Sequence, residues 1–111
     1  MALYDWYCDD VLSGKLPVAV VWQDARVLAF HHPQPGPDDQ IHVVVIPKAH
    51  VAGLLDPAAL DGALLTSMLL AIQHCARALG LDQAGFYIRA NAAAPGVTPH
   101  MHWHLYGPGL P

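Results

Sequence analysis

From His100 to Tyr106 the chain reads His-Met-His-Trp-His-Leu-Tyr, an imidazole at every second residue. In an extended strand, side chains two apart share a face at about 7 Å per step, so this spacing predicts a strand with three histidines along one side. Met101, Trp103 and Leu105 then form the apolar side, with Trp103 packed beneath a sheet. Three imidazoles fill a core poorly. The polar side of the strand therefore reads as a site.

The rest of the chain supplies partners for that strand. Asp5 to Ser13 fits a short helix closed by Gly14 in a left-handed conformation. Val18 to Trp22 and Val27 to Phe30 flank a turn at Asp24-Ala25 and read as a hairpin. His31 to Gln40 is rich in proline and reads as a loop. Ile41-His42-Val43-Val44-Val45-Ile46 is the strongest strand pattern, apolar enough to be buried on both faces, and Pro47 should stop it. Asp56-Pro57 opens a helix, and Leu60, Leu64, Leu65, Met68, Leu69, Ile72, Cys75, Ala76 and Leu79 step by three and four to Gly80. That predicts one helix of about two dozen residues. Gly85 to Asn91 reads as a further strand. Together these predict one α+β domain over residues 1–111, an antiparallel sheet of about five strands with one long and one short helix.

Composition narrows the function classes. With 111 residues, 54% hydrophobic and 13% charged, the chain can bury a core and is not of the disordered class. A formal charge of −4 from five Lys and Arg against nine Asp and Glu provides no basic patch, so no nucleic-acid partner is expected. No apolar stretch is long enough to cross a membrane, and the first residues lack a basic region followed by an apolar run. A cytoplasmic protein is expected. The two cysteines are too few for a disulfide scaffold, and Cys75 reads as a core residue. His74 is expected to be exposed and Lys48 to be a solvated charge.

Two chemistries suit alternating histidines, and spacing alone leaves both open beside an unremarkable His-rich surface strand. Neutral imidazole, with an ordinary pKa of about 6.5, is a nucleophile at neutral pH, and its neighbours can orient it and hold phosphate oxygens. Equally, imidazoles on a strand can present nitrogen to zinc.

The run His100-Met101-His102-Trp103-His104-Leu105-Tyr106 resembles the His-φ-His-φ-His-φ-φ signature of the histidine triad (HIT) family, where φ is apolar. Other segments resemble that family in the same order. They are Ser13-Gly14-Lys15-Leu16-Pro17, Val27-Leu28-Ala29-Phe30-His31, and Ile41-His42 through Pro47-Lys48-Ala49-His50. The resemblance implies a HIT-like fold and a nucleotide-phosphate hydrolase or nucleotidyl transferase. Its substrate would be a nucleoside phosphoramidate or a dinucleoside polyphosphate. It implies His102 as the nucleophile that forms a nucleotidyl-histidine intermediate, His104 as a contact to the phosphate oxygens, and His100 as the orienting residue. His42 would be a fourth histidine beside the site.

Substrate-binding candidates implied by the same resemblance are His32, where the family has an acidic residue for the ribose, Asn91, and Val97-Thr98 in place of its Gln-Ser/Thr. Thr98 is the candidate hydroxyl. No cofactor is required for such a reaction. The resemblance also implies a possible structural zinc site, with Asp5 at a position usually occupied by cysteine and Cys8, His50 and His100 as its companions. Family members are commonly homodimers with their sheets joined. The alternative reading is a non-catalytic nucleotide- or zinc-binding HIT-like protein.

Overall fold

A computed structural model describes residues 4–33, 40–90 and 98–109. Its sheet is built around the Ile41–Pro47 strand. The strands are β1 (Ala19–Gln23), β2 (Val27–His31), β3 (Ile41–Pro47), β4 (Tyr87–Ala90) and β5 (Trp103–Gly107), in the order β1-β2-β3-β5-β4. Every pair is antiparallel. The α+β class and the five-strand sheet expected from the sequence are both present. β3 is central because its two faces feed two cores. Val43 and Val45 pack with Met68, Ile72, Cys75 and Leu105 under a long helix. Val44 and Ile46 pack with Phe30, Leu28, Tyr7 and Val11 on the other face. Each such side chain contributes roughly 1.5–3 kcal/mol when fully buried.

The second face is partly covered by the opening helix, Tyr7–Leu12, six residues with π-type turns. The Asp5 carboxylate accepts the N–H groups of Tyr7 and Cys8 at 3.0 and 3.1 Å and so satisfies its first donors. Gly14 closes it at φ +84, a conformation that other residues adopt only with strain.

The expected two-dozen-residue helix is interrupted. Asp56 caps only a single 3-10 turn, Pro57–Leu60, and the backbone becomes extended at Asp61 with ψ 114. Helix α1 then runs Gly62–Ala78, 17 residues, followed by a short α2, Leu81–Ala84. Asp61 causes the break: its carboxylate accepts the N–H groups of Ala63 and Leu64, a local alternative to continuing the helix. Leu60 is consequently 82% exposed instead of sitting on the core stripe, and Leu69 is exposed as well. Leu64, Met68, Ile72, Cys75 and Ala76 form the buried face.

The histidine strand is also shorter than expected. β5 begins at Trp103, so His100, Met101 and His102 precede the ladder. Val45 faces Trp103, and continuing that register would set Met101 opposite Pro47, which has no N–H to give. The Met101 N–H instead donates to the Val51 carbonyl at 2.6 Å. The alternation of faces survives: Met101 and Leu105 are buried in the α1-side core, with Trp103 packed against it. None of the helices among the described residues is long and apolar enough to cross a membrane.

Candidate active site

The histidines divide into two neighbouring groups joined through His100. In the first, Nδ1 of His102 lies 2.6 Å from the carbonyl of His100. A carbonyl only accepts, so Nδ1 carries the proton and Nε2 keeps its lone pair. The Tyr7 ring packs on His102 at 5.0 Å between centroids, which restrains the imidazole plane. Burial holds the His102 pKa below the ordinary histidine value, against the effect of the carbonyl hydrogen bond.

His104 sits edge-on to His102 at 4.9 Å, and its Nδ1 is 2.7 Å from Nε2 of His42. One of these nitrogens donates to the other. Burial, then the neighbouring His102, His42 and His32 rings and the Arg89 charge, push the His104 pKa down to about 3. His102 and His104 are therefore both neutral at pH 7. Rings continue across the sheet from here. His42 stacks on His32 at 4.5 Å and on Tyr106 at 4.4 Å, and Tyr106 stacks on Tyr87 at 5.2 Å. His32, from the segment after β2, thus meets His42 on β3 and stands at one flank of the histidines. Arg89 on β4 faces His104 in the strand register and marks the other flank.

Thr98 is half-buried, and its carbonyl accepts the His100 N–H at 2.8 Å. Asn91 and Val97 lie outside the described residues.

The second group comprises Asp5, Cys8, His50 and His100. Asp5 Oδ2 is 2.7 Å from His50 Nδ1 and 2.8 Å from His100 Nδ1. Cys8 Sγ is 3.3 Å from His100 Nδ1 and 3.7 Å from His50 Nδ1. All four donor atoms lie within 4.8 Å of one another. One carboxylate, one thiol and two imidazoles form a zinc-type donor set. His100 Nε2 is 2.8 Å from the Pro47 carbonyl and donates to it, which fixes the tautomer and aims the Nδ1 lone pair into the cluster. These residues fit a zinc ion. Burial and the adjacent Asp5 push the Cys8 thiol up to about 11. Burial opposes the charged form of Asp5, but the Cys8 backbone hydrogen bond leads the contacts that outweigh it and hold the carboxyl below the usual value.

Three residues at the first group escape a reading of the sequence alone. Tyr106 continues the alternation two residues beyond His104 and was open to detection by spacing. Tyr7 and Arg89 come from segments whose placement depends on packing and register.

The HIT domain family matches residues 13–108, and the chain belongs to that family. It is 33% identical over 105 residues to an uncharacterised HIT-like protein of Synechococcus elongatus, spanning 89% of this chain and 90% of the relative. A 14 kDa zinc-binding protein of Brassica juncea is 33% identical over 102 residues, with 87% of each chain covered. Among solved structures, a HIT family hydrolase from Legionella pneumophila superposes with a TM-score of 0.83 at 29% identity. That match covers 96% of this chain and 95% of the other.

Proposed function

We propose that the protein is a nucleotide-phosphate hydrolase or nucleotidyl transferase in which His102 Nε2 attacks the α-phosphorus of a nucleoside phosphoramidate or dinucleoside polyphosphate. The observation that carries this reading is the 2.6 Å contact of His102 Nδ1 with the His100 carbonyl, which leaves Nε2 unprotonated. His104, braced by His42, offers its other ring nitrogen beside His102 for the phosphate oxygens, with His32 at the flank where the ribose would lie. A similar protein of known structure is a HIT family hydrolase, which supports the reaction class. In the first step a bond forms between Nε2 and phosphorus, and the bond to the leaving group breaks with its electron pair. That pair rests on oxygen in a departing phosphate and takes a proton from solvent in a departing amine. In the second, water adds to phosphorus, the nitrogen–phosphorus pair returns to Nε2, and a proton goes to solvent. Half-buried Thr98, and Asn91 and Val97 in the adjoining sequence, complete the proposed substrate contacts.

Mass spectrometry of rapidly quenched protein is the test. Wild type mixed with adenosine phosphoramidate or diadenosine tetraphosphate should gain the mass of one adenylyl group, and His102→Ala should not. Equal, background-level turnover by both proteins would overturn the enzymatic reading and leave a binding protein.

A second proposal concerns the cluster at Asp5. The donor set supports a structural zinc ion held by Asp5, Cys8, His50 and His100, and one similar protein is a zinc-binding protein. Bound there, zinc would cross-link the opening helix to the start of the triad. Its uptake would release the Cys8 proton. Elemental analysis of untagged protein should find about one zinc per chain, falling on Cys8→Ser. Zinc-free protein from zinc-replete cells would sink this reading.

The chain is further proposed to form homodimers. The position of β4 at the edge of the sheet among the described residues, and exposed Ile88, support an association that joins two sheets. Light scattering behind a sizing column should report twice the 11.9 kDa chain mass.

A further inference from the structure

The chain has five Lys and Arg residues, and the fold sets four of them apart from His102 and His104. Lys15 follows the opening helix, and Arg26 lies in the turn between β1 and β2. Lys48 reaches the outer strand, where Nζ donates to Gln23 at 3.1 Å. Arg77 lies on α1 beside Trp22 and His74. Arg89 is different. It is the register partner of His104, and cross-strand partners put their side chains on the same face. It is exposed, and no described carboxylate pairs with it, both ion pairs among the described residues being at Asp5.

A guanidinium grips phosphate through two parallel hydrogen bonds, and Arg89 is the cation that the strand register sets beside His104. Position then assigns which phosphate. Across the sheet the order is His32 and His42, then His104, then Arg89. Resting on the function proposed above, the nucleoside occupies the His32 flank, and the leaving half extends over β4.

We propose that Arg89 binds a phosphate in the leaving half of the substrate, which makes phosphoanhydrides such as dinucleoside polyphosphates the favoured class over phosphoramidates of uncharged amines. When Nε2 bonds to the α-phosphorus, the bridging phosphorus–oxygen bond breaks. Its electron pair leaves on a terminal phosphate oxygen of the departing nucleoside polyphosphate. Arg89 stabilises that growing charge, and the leaving group needs no proton. An uncharged amine offers Arg89 nothing to hold.

The experiment compares diadenosine tetraphosphate with adenosine phosphoramidate in wild type, Arg89→Gln and Arg89→Lys. Arg89→Gln should lower kcat/KM for the tetraphosphate roughly ten- to a hundredfold, the loss expected for a charged hydrogen-bonding pair. The phosphoramidate should change less than about twofold, and Arg89→Lys should recover part of the loss. Equal effects on both substrates, or none on the tetraphosphate, would overturn the assignment. Calorimetric affinity for the tetraphosphate, measured in His102→Ala with and without Arg89→Gln, keeps the two proposals separable. If wild type turns over neither substrate, the hydrolase reading fails, while weaker binding without Arg89 still supports its role. Unchanged affinity refutes that role.

Discussion

The carbonyl of His100 and Nδ1 of His102 are 2.6 Å apart, so one residue's backbone sets the tautomer of the next imidazole but one. Nitrogen-15 NMR at pH 7 should therefore show His102 protonated at Nδ1 and bare at Nε2. Because the acceptor is main chain, His100→Ala should keep this tautomer while losing the side-chain contacts to Asp5 and Pro47. A His102 ring protonated at Nε2 in wild type would contradict the arrangement.

Asp61 holds the start of α1 by accepting two backbone N–H groups, at 2.9 Å from Ala63 and 3.3 Å from Leu64. Asp61→Ala should cost about 1 kcal/mol in urea unfolding. Asp56→Ala should cost less, because the turn it caps is only four residues long and its buried member is Ala59 alone. A larger loss at Asp56 would mean that the two segments act as one helix.

That break shows where local pattern stops informing. The step from Leu60 to Leu64 has helical spacing, yet Leu60 faces solvent because capping by Asp61 outweighs the continuation of an apolar stripe. The signal lay in Asp61-Gly62, a cap residue followed by a poor helix former. By contrast β3 was legible, since a run of Val and Ile buried on both faces has few other uses. The same division holds at the site. The triad announced itself by period, and Tyr106 extends it. Arg89 did not, because its pairing with His104 depends on the register between β4 and β5, across a connection whose sequence carries no register information.

His104 should make stability fall with acid. Its folded pKa, about 3, lies below the unfolded value of about 6.5, so the unfolded chain binds the extra proton between those limits. Its contribution is fully present above about pH 6.5 and is lost progressively as pH falls toward 3. Unfolding free energies should drop more steeply over this window in wild type than in His104→Gln. The difference should reach a few kcal/mol, since each pH unit between the folded and unfolded pKa values is worth about 1.4 kcal/mol. Measurements in chelator keep the Asp5 cluster metal-free in both proteins. Identical slopes would mean that the ring is not held neutral by its surroundings.

Gly107 ends β5 where a side chain has no room. A Cβ there would lie 2.7 Å from Leu81 Cδ2 and 3.0 Å from the Gly85 carbonyl oxygen. The leucine methyl can rotate away, but the carbonyl belongs to backbone that accepts the Gly109 N–H at 3.0 Å and moves less easily. Gly107→Ala should therefore cost about 1–3 kcal/mol, as overpacking commonly does. A double-mutant cycle separates the two obstacles. Leu81→Ala is destabilising alone, since that side chain is buried, but it removes the methyl clash. If Leu81 is the chief obstacle, Gly107→Ala in the Leu81→Ala background should cost less by at least about 0.5 kcal/mol, the smallest coupling expected of touching residues. An unchanged penalty would assign the whole cost to the Gly85 carbonyl, and a penalty near zero in wild type would show that β5 ends more loosely than these contacts require.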